Sequence, residues 1–112
     1  DCIFCRIANK EIKSDFIYED EDIVVFNDVN PAAPVHLLVI PKKHISSIME
    51  IGELKESVSA RILKIISKVA KDMNIDEEGF RVVSNTGDGA GQSVAHLHFH
   101  ILGGRKFNWP PG

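Results

Sequence analysis

The run His96-Leu97-His98-Phe99-His100-Ile101-Leu102 constrains this chain more than any other segment. Histidine alternating with Leu, Phe and Ile has the two-residue period of a β-strand. The spacing predicts a last strand from His96 to Leu102, with three imidazoles on one side, about 7 Å apart by Cα spacing. Leu97, Phe99 and Ile101 fill the other side. From the residues alone, three readings stand: a solvent-facing strand that happens to use His, a catalytic three-His metal site, or a row of groups acting on an anion.

The preceding loop, Thr86-Gly87-Asp88-Gly89-Ala90-Gly91-Gln92-Ser93, favours the anion. Gly87, Gly89 and Gly91 permit positive φ and close backbone approach, which lets consecutive N–H groups face a phosphate. An imidazole nitrogen held in the right tautomer is a good nucleophile toward phosphorus and a good leaving group. One hard displacement then becomes two easier ones. Charge on the non-bridging oxygens needs donors already in place, which backbone N–H groups and a neighbouring His supply.

Elsewhere, periodicity divides the chain cleanly. Cys2 to Ala8 reads as a short helical turn ended by Asn9 and Lys10. Phe16–Glu19 and Ile23–Phe26 read as paired strands across the turn Asp20-Glu21-Asp22. After Pro31-Ala32-Ala33-Pro34, His36–Ile40 is a strongly apolar strand stopped by Pro41. From about Leu54 to Asn74 the period becomes helical, with Leu54, Val58, Ile62, Ile65, Ile66, Val69 and Met73 on one stripe. Phe80–Asn85 is a further strand. Strands, one long helix, then strands predict an α+β domain with a mostly antiparallel sheet.

At 112 residues the chain is expected to form one domain over residues 1–112. A domain this small gains from dimerisation or a structural metal. The net charge of −3 argues against an electrostatically driven nucleic-acid or membrane binder. It leaves room for one small anionic ligand at a locally positive site. Only two cysteines and no long apolar run point to the cytoplasm.

Taken together, these motifs resemble the histidine-triad (HIT) superfamily, and within it the Hint branch of nucleoside phosphoramidases. The pattern His-φ-His-φ-His-φ-φ is met by His96 through Leu102. Similar Hint segments are Gly91-Gln92-Ser93-Val94, Leu38-Val39-Ile40-Pro41-Lys42-Lys43-His44, Gly103-Gly104-Arg105 and Trp109-Pro110-Pro111-Gly112. The resemblance implies a HIT-like fold: a five-stranded, mostly antiparallel sheet, one long helix and a short N-terminal helix, with the sheet continued across a homodimer. It implies that His98 is the nucleophile, that His100 polarises the α-phosphate, and that His96 and His36 orient His98 by hydrogen bonding. Ser93 assists the leaving group. Asn85 and the Gly91-Gln92-Ser93 backbone hold phosphate, Asp28 takes the ribose hydroxyls, Phe26 and Val29 line the base pocket, and Trp109 reaches toward the partner's site.

Cys2 and Cys5 have the C-x-x-C spacing of two thiolates on one metal. A redox dithiol or two buried thiols would share that spacing. By resemblance to microbial HIT proteins and to galactose-1-phosphate uridylyltransferases, His44 and His96 complete a closed structural zinc site, with no catalytic cofactor. The activity implied is hydrolysis of purine nucleoside phosphoramidates, such as adenosine monophosphate joined to an amine. Alternatives are a dinucleoside-polyphosphate hydrolase of the Fhit type, a nucleotide-binding adaptor with incidental hydrolysis, and a zinc module that binds proteins.

Overall fold

The computed structural model describes residues 1–112. A short helix α1 (Ile3–Ala8) leads into strands β1 (Phe16–Glu19), β2 (Ile23–Asn27) and β3 (Val35–Pro41). A 3-10 segment (Ile48–Glu53) precedes the long helix α2 (Glu56–Asp72), and β4 (Phe80–Val83) and β5 (Phe99–Gly103) close the chain. The five strands form one antiparallel sheet in the order β1-β2-β3-β5-β4. It is the α+β architecture read from the strand and helix periods.

Both faces of the sheet are covered, which is why β2 and β3 are apolar at nearly every position rather than alternating. Val25, Leu37, Val39 and Ile101 pack with Val58, Ile62, Ile65, Ile66 and Val69 of α2. Each such fully buried aliphatic side chain stabilises by about 1.5–3 kcal/mol. On the opposite face, Val24, Phe26, Leu38 and Ile40 meet Phe4, Ile7 and Ala8 of α1. Arg61 fastens α2 to the β1–β2 turn, donating to Asp20 at 2.9 Å and Asp22 at 2.5 Å.

The last strand is shorter than its alternating pattern suggests. Pairing with β3 ends at Val39 opposite Phe99, so His96, Leu97 and His98 precede the strand. In an extended register Leu97 would face Pro41, which has no N–H to continue the ladder. The Leu97 N–H instead donates to the Ile45 carbonyl at 2.7 Å. Smaller differences have similar local causes. The helix begins at Glu56 because Leu54 closes the 3-10 segment. β4 ends at Val83, where the Ser84 hydroxyl donates to the His98 carbonyl at 2.8 Å.

Candidate active site

Register decides which side chains share the α1 face. Leu38 stands opposite His100 and His36 opposite Leu102, so His36 and His100 are diagonal neighbours on that face. Between them and the loop lies His98, almost fully buried and edge-on to Phe4 with ring centroids 5.1 Å apart.

Hydrogen bonds fix the tautomers, because a carbonyl only accepts and an amide N–H only donates. His98 Nδ1 lies 2.7 Å from the His96 carbonyl, so Nδ1 carries the proton and Nε2 keeps its lone pair. The Ala32 N–H donates to His36 Nδ1 at 2.9 Å, placing the neutral His36 proton on Nε2. From there it is donated to His100 Nδ1 at 2.8 Å. His100 therefore carries its own proton on Nε2. The site holds one imidazole with a free lone pair beside one presenting an N–H, their centroids 5.1 Å apart. Burial pulls the pKa of His36 below its ordinary value, opposed by the Asp28 carboxylate, whose Oδ2 lies 3.4 Å from His36 Nε2. Burial also depresses His100, helped by His98 and His36.

Two expected contacts are drawn differently by this geometry. His36 bonds to His100 and not to His98. His96 orients His98 through its main-chain carbonyl, while its ring faces away. That ring is fully buried, and its Nε2–H donates to the Pro41 carbonyl at 2.8 Å.

The bond to Pro41 leaves the lone pair of His96 Nδ1 for a separate cluster. His96 Nδ1 lies 3.4 Å from Cys2 Sγ, 3.5 Å from Cys5 Sγ and 3.2 Å from His44 Nδ1. Cys5 Sγ and His44 Nδ1 are 3.3 Å apart. Tetrahedral zinc with bonds of about 2.0–2.3 Å separates its donors by roughly 3.3–3.8 Å, so Cys2, Cys5, His44 and His96 fit that ion. All four positions would be taken by protein, so zinc here would tie α1 and the 44–45 segment to the turn before β5 and would not meet substrate. Asp28, His36 and His100 also converge, but they do not fit a metal. His36 Nδ1 already accepts an amide proton, so ligation through Nε2 would require an imidazolate.

A cavity of about 340 Å³ opens onto His98, His100 and Ser93, with Asp28 beside them. Phe26 and Val29 lie on its wall. The expected phosphate loop is less open than its glycines suggest. Gly87 and Gly91 adopt positive φ and Gly89 does not. The Gly91 and Gln92 amides bond within the loop, to Asp88 and Gly87, which leaves that of Ser93. The Gln92 side chain closes the loop, accepting from the Gly87 N–H and donating to the Ser46 and Val94 carbonyls. Asn85 and Trp109 line a different groove of about 620 Å³ with Arg81, Arg105 and Phe107. Sequence reasoning missed the contribution of α1: Ile3, Phe4 and Ile7 form a cavity wall, and their i, i+4 spacing was the available signal.

The HIT domain model matches residues 9–107. The chain belongs to the HIT domain family. HIT-like proteins of the cyanobacteria Synechococcus elongatus and Synechocystis are 44% and 45% identical over all of this chain and 97% of theirs. Among solved structures, a HIT family hydrolase from Legionella pneumophila superposes with a TM-score of 0.95 at 45% identity, over the whole of both chains. A histidine triad protein from Clostridium difficile gives 0.90 at 49% identity, over 96% of this chain and 94% of that one. A histidine triad nucleotide-binding protein from Candida albicans gives 0.84 at 32% identity, over 98% of this chain and 83% of that one. The fold is thus the HIT fold. No helix of this HIT protein is long and apolar enough to cross a membrane.

Proposed function

We propose that this HIT protein is a nucleoside phosphoramidase of the Hint branch, cleaving purine nucleoside phosphoramidates through a nucleotidyl intermediate on His98. The observation that carries this reading is the bond from His98 Nδ1 to the His96 carbonyl. It leaves a lone-pair nitrogen in a cavity that also holds a donor imidazole and a hydroxyl. Relatives named HIT family hydrolase and nucleotide-binding protein support the class of reaction.

In the first step His98 Nε2 attacks the α-phosphorus. The P–Nε2 bond forms, the P–N bond to the amine breaks, and the amine leaves with a proton supplied through the Ser93 hydroxyl. The His100 Nε2–H and the Ser93 amide stabilise the non-bridging oxygens as charge develops. In the second step water attacks phosphorus, its proton returns through the Ser93 hydroxyl to replace the one given to the amine, the P–Nε2 bond breaks, and the nucleoside monophosphate departs. The Asp28 carboxylate takes the ribose hydroxyls, and Phe26 and Val29 flank the base. Structural zinc at Cys2, Cys5, His44 and His96 belongs to the same reading.

A homodimer completes it. β4 is a sheet edge, and Trp109 is 81% exposed in one chain, a state usually relieved by a partner. Asn85 and Trp109 then act on the nucleotide from the dimer side of the site. The test is His98→Ala: turnover of an adenosine phosphoramidate is abolished while calorimetric binding of the monophosphate survives. Full activity in that variant overturns the reading. A higher kcat/KM on dinucleoside polyphosphates than on phosphoramidates would move it to the Fhit-type hydrolase.

A further inference from the structure

One end of the cavity is polar in a way the nucleotide reading does not use. At the reacting end, Ser93, Val94 and Ile3 are shared with a neighbouring pocket that reaches toward Cys2 and His44. Elsewhere on its rim, Ile12, Lys13 and Ser14 are shared with a second pocket bounded by Lys10, Asp15 and Phe16, which contains no histidine. On the phosphoramidase reading, with phosphate at His98 and ribose at Asp28, the base would lie along Phe26 and Val29, in the cavity whose lining also includes Ile12, Lys13 and Ser14. Half of the lining residues are apolar; Lys13 and Ser14 supply polar side chains at this end, while Asn27, Asp28 and Asn30 belong to the segment that carries Phe26 and Val29. Lys10 is held by Glu19 at 3.2 Å. The chain's ion pairs engage Arg6, Lys10, His36, Lys42, Arg61 and Lys68, and leave Lys13 unengaged.

We propose that Lys13, with Ser14 beside it, reads the purine edge and favours 6-oxopurines, guanine and hypoxanthine, over adenine. An ammonium has three donors and no acceptor. Guanine presents two adjacent acceptors, O6 and N7, whereas adenine pairs the N7 acceptor with the N6 amine, a donor. A lysine facing that edge is satisfied twice by a 6-oxopurine and meets a like donor in adenine. The Ser14 hydroxyl donates or accepts by rotating, so it adds affinity for either base and the discrimination rests on Lys13. Lys13 is exposed, so water competes, and the preference is expected to be about five- to tenfold, toward the low end for a two-acceptor contact.

The inference rests on the phosphoramidase reading, and the experiment separates the two. kcat/KM is measured for guanosine, inosine, adenosine and 2-aminopurine riboside phosphoramidates on the wild type, Lys13→Met, Lys13→Arg and Ser14→Ala. The expected result is a guanosine and inosine preference that Lys13→Met abolishes and Lys13→Arg retains. The 2-aminopurine substrate, which lacks both O6 and the N6 amine, should fall between guanosine and adenosine. Equal ratios in the wild type and Lys13→Met, with turnover intact, overturn the inference and leave the phosphoramidase reading standing. No turnover of any of the four phosphoramidates by the wild type overturns that reading first, and calorimetric affinities of guanosine and adenosine monophosphates then judge the base preference by themselves.

Discussion

His36 Nε2 lies 2.8 Å from His100 Nδ1, and the Ala32 amide on the far side of the His36 ring determines which of them holds the proton. His36 also lies 3.4 Å from the Asp28 carboxylate, but its only hydrogen bond toward the reacting phosphate is the one to His100, so it acts on the chemistry through His100. Replacing it with Phe frees His100 to adopt the other tautomer, which turns a lone pair toward the phosphate. We expect kcat to fall about 10- to 100-fold, the scale for losing a partner that orients an imidazole. KM should change little. His100→Ala removes the donor itself and should cost about 10²–10³-fold in kcat. Single-turnover kinetics with both variants checks the order.

The same burial gives a pH prediction. His36 and His100 both have depressed pKa values, so the unfolded chain binds protons at these positions before the folded one does. Their contribution to stability is complete above the unfolded value of about 6.5. It is lost as pH falls through their folded values. Proton NMR should show both imidazoles titrating below 6.5, and the denaturant midpoint should decline over the same interval. Titration of either ring above 6.5 would contradict the assignment.

Much of this arrangement is legible in the sequence. The apolar runs of β2 and β3, the stripe of α2 and the C-x-x-C spacing each carry a local signal. What escaped was set by partners distant in sequence. Alternation alone extended the last strand to His96, because nothing in that run reveals that Pro41 faces it. Gln92 belonged to a supposed phosphate loop, yet its amide finds the Ser46 carbonyl. Ile3, Phe4 and Ile7 read as one turn of helix, and only the sheet behind them makes them a cavity wall.

Metal content is the next expectation. Purified protein should carry one zinc per chain, and Cys5→Ser should lose it together with several degrees of Tm. Chelation should lower activity as well, because the ring of His96 anchors the carbonyl that orients His98. Returning zinc to the chelated wild type should restore both. Elemental analysis alongside calorimetry tests this, and a metal-free wild type with unchanged Tm would refute it.

Close packing behind the site gives a stability prediction. A Cβ added at Gly103 would come within 2.8 Å of Ile75 Cδ1 and 2.9 Å of its Cγ2. Ile75 is buried in the α2 core and has little room to move. Gly103→Ala should therefore destabilise by about 1–3 kcal/mol, the range for overpacking a core. Urea unfolding measures it.

The central claim is that phosphorus passes through His98. A reaction with a purine nucleoside phosphoramidate, quenched within the first turnovers and digested at alkaline pH, where phosphohistidine linkages survive, should yield one modified peptide. Mass spectrometry should place a nucleoside monophosphoryl group on the imidazole of His98 and on no other residue. The adduct should be missing in His98→Ala. An adduct on His100, His96 or Ser93, or steady turnover without a covalent species under conditions where breakdown is rate-limiting, would contradict it.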